Sequence, residues 1–211
     1  MDTQLLIPTL SIILFLFSVI IHEVMHGFVA LKFGDRTAED AGRLTLNPLP
    51  HIDLIGSILL PALLFFSGSR FLIGWAKPVP VNPLNFDNLR KGELFVSMAG
   101  VLANFGLAAI FTLLYHLLAG SFGPTDVIIQ VLQFAVVMNL SLGIFNLVPI
   151  PPLDGSKVLL SQLPYNLAKE FSKFETIGPF LLLILLYLGV LTPILGLVIR
   201  FLMNLLQIPL F

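Results

Sequence analysis

Apolar residues run almost unbroken through four stretches of this chain: Leu5 to Leu31, Leu94 to Ala119, Val127 to about Leu147, and Gly178 to Ile199. Each meets the roughly 20 residues that an α-helix needs to cross about 30 Å of hydrocarbon. A fifth apolar stretch, LIGSILLPALLFFSGS from Leu54 to Ser69, is shorter and is interrupted by Gly56, Pro61 and Gly68. Polar, turn-rich segments separate them. One covers residues 32–50; the other, GWAKPVPVNPLNFDN from Gly74 to Asn88, carries prolines that exclude a long helix and leave loops or extended strands. The pattern predicts an all-α polytopic membrane protein with about four transmembrane helices, a re-entrant or interfacial segment at 54–69, and short interfacial loops or strands. No internal repeat or separate soluble portion is visible. Residues 1–211 therefore read as one membrane-embedded domain, with a core at 5–158 and an accessory C-terminal helix at about 176–206.

Composition agrees with a bilayer environment: 57% of residues are hydrophobic and 11% charged, with a mean hydropathy of +0.99. The opening MDTQLLIPTL lacks the basic start and small-residue cleavage site of a signal peptide, so the first apolar run is expected to be a retained span. A net charge of −1 gives no reason to expect nucleic acid. Where the charges fall is more informative. If 54–69 enters the membrane and returns, then Lys32, Arg36, Arg43, Arg70, Lys77, Arg90, Lys91, Lys157, Lys169 and Lys173 share one side. The N-terminal tail and the turn GSFGPTD (120–126) hold no Lys or Arg, and Arg200 alone lies elsewhere, late in the last segment. The positive-inside rule then makes the charged side cytoplasmic. A crossing at 54–69 would split the basic residues between both faces.

Inside the first apolar run stands VIIHEVMHGF, residues 19–28. On a helix His22 and His26 are one turn apart, so both imidazoles project from the same face and can share one metal ion. Glu23 is the next residue along. A divalent metal acidifies water, and a carboxylate beside it can take the proton and pass it to a leaving amine, which is the chemistry of a zinc peptidase. Ionisable groups within a span are costly and default to function, and three fall here within five residues. Counted from Leu5, His22 lies roughly 25 Å along the helix, which leaves the site shallow beneath the cytoplasmic boundary.

With no cysteine in the chain, a third protein ligand must be His, Asp or Glu. The segment NLVPIPPLDGSKVL, residues 146–159, offers Asp154. Pro149, Pro151 and Pro152 cannot continue a helix, so the span that starts at Val127 should unwind before Asp154. Irregular backbone at membrane depth requires surrounding protein or a water-filled cavity, and an aqueous active site is such a cavity. Bringing Asp154 to His26 requires the spans from Leu5 and Val127 to run parallel, which again requires that 54–69 does not cross.

HEVMH, SMAGVLANF (97–105) and NLVPIPPLDG occur in the order of three motifs of the site-2 protease family of intramembrane zinc metalloproteases, and the chain resembles its compact members without a PDZ domain. The resemblance spans His22 to Asp154. It implies one Zn2+ per chain held by His22, His26 and Asp154, Glu23 as general base, and Asn146 and Asn104 near the substrate or the oxyanion. One departure is Val101, where the family carries proline after Ala99 and Gly100, which bears on helix geometry near Asn104. The implied substrates are transmembrane proteins or peptides cut within or near the bilayer, in regulated intramembrane proteolysis or clearance of signal peptides.

Other polar groups read more plainly. His51 and Asp53 in HIDLIG are a rival ligand pair whose simplest role is a hydrogen-bonded interfacial loop. GWAKPVPVNP fits either a strand that pairs with extended substrate or a loop anchored by Trp75 at headgroup level. Ser97, Ala99, Gly100, Ala103 and Gly106 suggest close helix packing. His116 suits the outer interface. A transporter would spread ionisable groups through the depth of several helices, whereas here they cluster near one face; an inactive relative would have lost Glu23 or a ligand.

Overall fold

In a computed structural model, residues 3–67 and 74–210 are described. The helices are α1 (Thr3–Lys32), α2 (Thr37–Asp40), α3 (Leu60–Phe66), α4 (Leu89–Ala119), α5 (Val127–Asn146), α6 (Asp154–Gln162), α7 (Tyr165–Ser172), α8 (Gly178–Tyr187) and α9 (Leu191–Leu205). Among the described residues there is no β-strand, so the all-α expectation holds and the extended segment after Gly74 is a loop. Three helices, α1, α4 and α5, are long and apolar enough to cross a membrane; α8 and α9 together make a fourth candidate. The chain is thus a multi-pass membrane protein. The apolar pattern leaves open whether this last segment is one long helix or breaks at 192–196. The segment bends by 77° between Tyr187 and Leu191, where Gly189 takes a φ of +68°. Residues 192–196, despite Pro193 and Gly196, continue as helix because proline is tolerated in a helix's first turn.

The stretch from Leu54 resolves into a π-helical turn, Leu54–Leu59, running straight into α3. Those 13 residues extend about 20 Å, too short to cross. The chain then comes back to where it started: the Trp75 N–H donates to the Gly56 carbonyl at 3.1 Å, and the Ser57 hydroxyl donates to the Trp75 carbonyl at 2.8 Å. Both ends lie on one face, as the basic residues demanded. Arg70, Gly68 and Ser69 lie outside the described residues.

Helices α1, α4 and α5 pack on one another. At the end where α4 hands over to α5, Ala108, Tyr115, Ile129, Leu132 and Val136 form a buried cluster closed by Met203 and Ile208 from the C-terminal segment. His116 lies at this end with its Nε2 2.8 Å from the Leu206 carbonyl. At the opposite end, Ala30 of α1 and Val96 of α4 pack with Phe86. Since α4 returns the chain, α1 and α5 run parallel, the arrangement that Asp154 requires.

Asp35 ties that second end together. Its fully buried carboxylate accepts from the Thr37 amide at 3.1 Å and from the Thr37 hydroxyl. It also accepts from the Asn82 amide at 2.7 Å and the Asn85 side chain at 2.8 Å. Burial pushes the Asp35 carboxyl up, but the summed donations from Thr37, Asn82 and Asn85 outweigh it and hold it below the ordinary 3.8. A depressed carboxyl contributes stability that is present above its ordinary pKa and lost as pH falls through the folded value. The tie joins the turn after α1 to the extended segment ending at Asn82. Asp35→Asn places an amide NH2 against one of these donors, so hydrogen exchange across residues 75–85 should quicken while exchange in α4 and α5 stays as in the wild type. Unchanged exchange at 75–85 would remove this role for Asp35.

Candidate metal centre

His22 and His26 sit one turn apart on α1, ten and six residues before its last residue, Lys32. Their Nε2 atoms are 3.0 Å apart, and the Asp154 Oδ2 lies 3.2 Å from each. These three are the group of possible ligands that the described residues bring together. Tetrahedral zinc with bonds of about 2.0–2.1 Å separates its donor atoms by about 3.3 Å, close to the triangle seen.

The other ring nitrogens settle which atoms face the centre. His26 Nδ1 lies 2.7 Å from the Val96 carbonyl, which can only accept, so Nδ1 carries the proton and Nε2 presents a lone pair. His22 Nδ1 lies 2.6 Å from the Asn104 side-chain oxygen, with the same consequence. Two lone pairs and a carboxylate therefore meet in a buried place. Oδ2 of Asp154 accepts no hydrogen bond from the described residues. A buried anion without a donor is costly, and a cation at the shared point resolves it. The donor set, two imidazoles and one carboxylate, fits zinc.

Local sequence explains how Asp154 arrives. Helix α5 stops at Asn146, and the proline-rich turn 147–153 contains a cis bond between Pro151 and Pro152. The turn closes with the Leu153 amide donating to the Ile150 carbonyl at 3.0 Å. Asp154 is the first residue of α6, where the helix dipole favours an ionised carboxylate. Gly155 lets the start of α6 pack directly on the Leu147 carbonyl, a place any Cβ would occupy.

Gly100 has a sharper role than helix packing. A Cβ there would lie 2.5 Å from His26 Nε2 and 2.6 Å from His22 Nε2, against the very atoms that face the centre. Its carrier, α4, thus approaches both imidazoles by backbone alone. The sequence signal was present, since Gly100 belongs to the SMAGVLANF motif, but spacing by itself pointed only to small residues.

Glu23 is half-buried, and its Oε2 accepts the Val79 N–H at 2.9 Å. Val79 belongs to the extended segment after Trp75, and one edge of that segment is engaged through Trp75, Lys77 and the Val79 N–H. The Lys77 N–H donates to the His51 carbonyl at 2.9 Å, and the Lys77 carbonyl accepts from Arg43 at 2.7 Å. Alternate residues share an edge, so the opposite edge belongs to Ala76, Pro78 and Pro80, of which two have no N–H to give. His51 and Asp53 are spent on the loop itself: His51 Nε2 lies 2.9 Å from the Thr45 carbonyl, and Asp53 caps the π-helical turn by accepting the Gly56 amide at 2.6 Å.

The two asparagines part ways. Asn146 ends α5 half-buried, its amide donating to the Leu142 carbonyl at 3.0 Å. Asn104 is fully buried; its side chain spans from His22 to Asn139, which accepts its amide proton at 3.1 Å. It stands behind the His22 imidazole, with no exposed surface of its own. The partners Ser18 and Asn139 carried no recognisable spacing signal, because the contact joins residues 121 positions apart.

The profile of Peptidase family M50 matches residues 121–188, which include Asn146 and Asp154. YwhC of Bacillus subtilis (strain 168) is 38% identical over 188 residues, covering 85% of this chain and 80% of YwhC. Rip2 of Mycolicibacterium smegmatis is 30% identical over 172 residues, covering 81% of this chain and 64% of Rip2. MJ0392 of Methanocaldococcus jannaschii is 27% identical over 195 residues, covering 91% of this chain and 46% of that protein. Each bears the words zinc metalloprotease in its name. No solved structure matches the chain. With its paired imidazoles, its convergent aspartate and relatives of this kind, the chain belongs to peptidase family M50, the site-2 protease family of membrane zinc metalloproteases.

Proposed function

We propose that the protein hydrolyses peptide bonds within or near the transmembrane segments of other membrane proteins, with His22, His26 and Asp154 holding one zinc ion and Glu23 acting as general base. The observation that carries this reading is the meeting of Nε2, Nε2 and Oδ2 within 3.2 Å of one another at the depth of a membrane span. Bound zinc supplies a Lewis acid that makes water nucleophilic near neutral pH and polarises a carbonyl.

The chain's own residues do the rest. The Glu23 carboxylate, oriented by the Val79 N–H, takes the proton of the attacking water and returns it to the leaving amine. Asn146, the last residue of α5, holds unwound substrate backbone or the developing oxyanion. The centre works near the cytoplasmic face: His26 lies six residues, about 9 Å, before the end of α1, and that end joins the loops rich in Lys and Arg. The edge at Ala76, Pro78 and Pro80 offers three carbonyls and only the Ala76 N–H, so a substrate strand beside it must supply most of the donor N–H groups. Release of membrane-tethered regulators and removal of spent signal peptides are the reactions this site serves.

Glu23→Gln keeps the shape and the Val79 contact but cannot carry the proton. Cleavage of a model transmembrane substrate by the purified variant should fall by about 10²–10⁴-fold while zinc content, read by atomic absorption, stays that of wild type. Undiminished cleavage would remove the general-base assignment. Gly100→Ala, favourable to a helix by about 1 kcal/mol, inserts its methyl against both Nε2 atoms. The protein should remain folded and lose most of its zinc; full zinc content would refute the geometry of the centre.

A further inference from the structure

His26 owes its orientation to a backbone carbonyl, which cannot turn. His22 relies on a side-chain amide, and an amide can flip its oxygen and nitrogen with little change of shape. A flipped Asn104 would offer a donor to His22 Nδ1, drive the ring proton to Nε2, and put that proton where the metal belongs. Something must hold Asn104 the right way round.

We propose that Asn139, seated on Ser18, is the positioning residue that fixes the tautomer of His22 through Asn104. Asn104 and Asn139 have no exposed surface and Ser18 is 2% exposed, so water does not stand in for lost partners. The Ser18 hydroxyl has one proton and gives it to the Leu14 carbonyl at 2.8 Å. Toward Asn139 it can only accept, and the Asn139 NH2 group lies 2.9 Å from it. The same NH2 group donates to the Ala135 carbonyl at 2.9 Å, a second partner that can only accept. Both fix the nitrogen of Asn139, so its oxygen must face Asn104 and receive the Asn104 NH2 group at 3.1 Å. That group also points at the Ser18 carbonyl, 3.5 Å away. The Asn104 oxygen is left for His22, at 2.6 Å. Direction therefore passes from two backbone carbonyls, Leu14 on α1 and Ala135 on α5, through three side chains to one ring nitrogen. Reversing it would leave buried acceptors facing acceptors, the Asn139 oxygen against the Ala135 carbonyl and the Asn104 oxygen against the Ser18 carbonyl.

The inference rests on His22 being a zinc ligand, so the test separates the two ideas. Zinc affinity of the full chain in detergent is measured by competition with a chelating fluorophore for wild type, His22→Ala, Asn139→Leu, and Asn139→Leu combined with Asn104→Asp. Asn139→Leu should weaken zinc about 10–100-fold, the usual effect of losing a partner that orients a ligand. The double variant should recover to within a few-fold, because both carboxylate oxygens accept and no orientation remains to be chosen. A loss that Asn104→Asp leaves in place is a packing defect and overturns the proposal, as does wild-type affinity in Asn139→Leu. Wild-type affinity in His22→Ala would instead overturn the ligand assignment. Should Asn139→Leu fail to fold, ¹⁵N shifts of histidine-labelled, metal-free wild type decide, read at a pH raised until the spectrum shows each ring with a single proton. His22 protonated on Nδ1 supports the relay and His22 protonated on Nε2 overturns it.

Discussion

A carboxylate oxygen with no hydrogen-bond donor, facing two imidazole lone pairs inside a membrane protein, is the constraint from which the rest of the structure follows. Left alone, such a charge is expensive to bury. Sharing a divalent cation turns that cost into binding energy, and the architecture supplies the three donors from far-separated positions. Helix α1 brings two because His22 and His26 lie one turn apart. The proline-broken end of α5 brings the third because no helix can pass Pro149, Pro151 and Pro152, and because Gly155 allows α6 to start hard against the Leu147 carbonyl. Parallel α1 and α5 require a segment between them that enters and returns, and the contact of Trp75 with Gly56 and Ser57 closes that excursion.

Around this centre the polar groups are divided between those that hold ligands and those that hold loops. Val96 and Asn104 accept the remaining ring protons of the histidines, which leaves both Nε2 atoms basic. Asp35, Arg43 and His51 instead fasten the segment that carries Val79, whose N–H meets Glu23. The same segment turns the N–H groups of Trp75, Lys77 and Val79 inward and presents Ala76, Pro78 and Pro80 outward. It therefore limits how an extended chain can lie beside it, without closing into a sheet of its own.

Much of this was legible in the sequence because it depends on local spacing or on charge counting. Four apolar runs, the His-Glu-x-x-His spacing, the prolines before Asp154 and the one-sided basic residues each report physics confined to a few residues or summed over loops. The rest depends on contacts between distant positions. Gly100 was visible as a small residue but not as the place where α4 meets two imidazoles. Asn104 carried a motif, yet its partners His22, Asn139 and Ser18 are visible only in the fold. The last apolar run breaks at residues 188–190, where a left-handed Gly189 ends one helix, while Pro193 is carried in the first turn of the next.

The central claim is that two imidazoles and one carboxylate from far-separated positions in the chain coordinate a single zinc ion. X-ray absorption at the zinc edge of the purified, zinc-loaded chain tests it most directly. The account predicts four nitrogen or oxygen donors at about 2.0–2.1 Å, with the outer-shell scattering of two imidazole rings. A spectrum with one imidazole or none would contradict it.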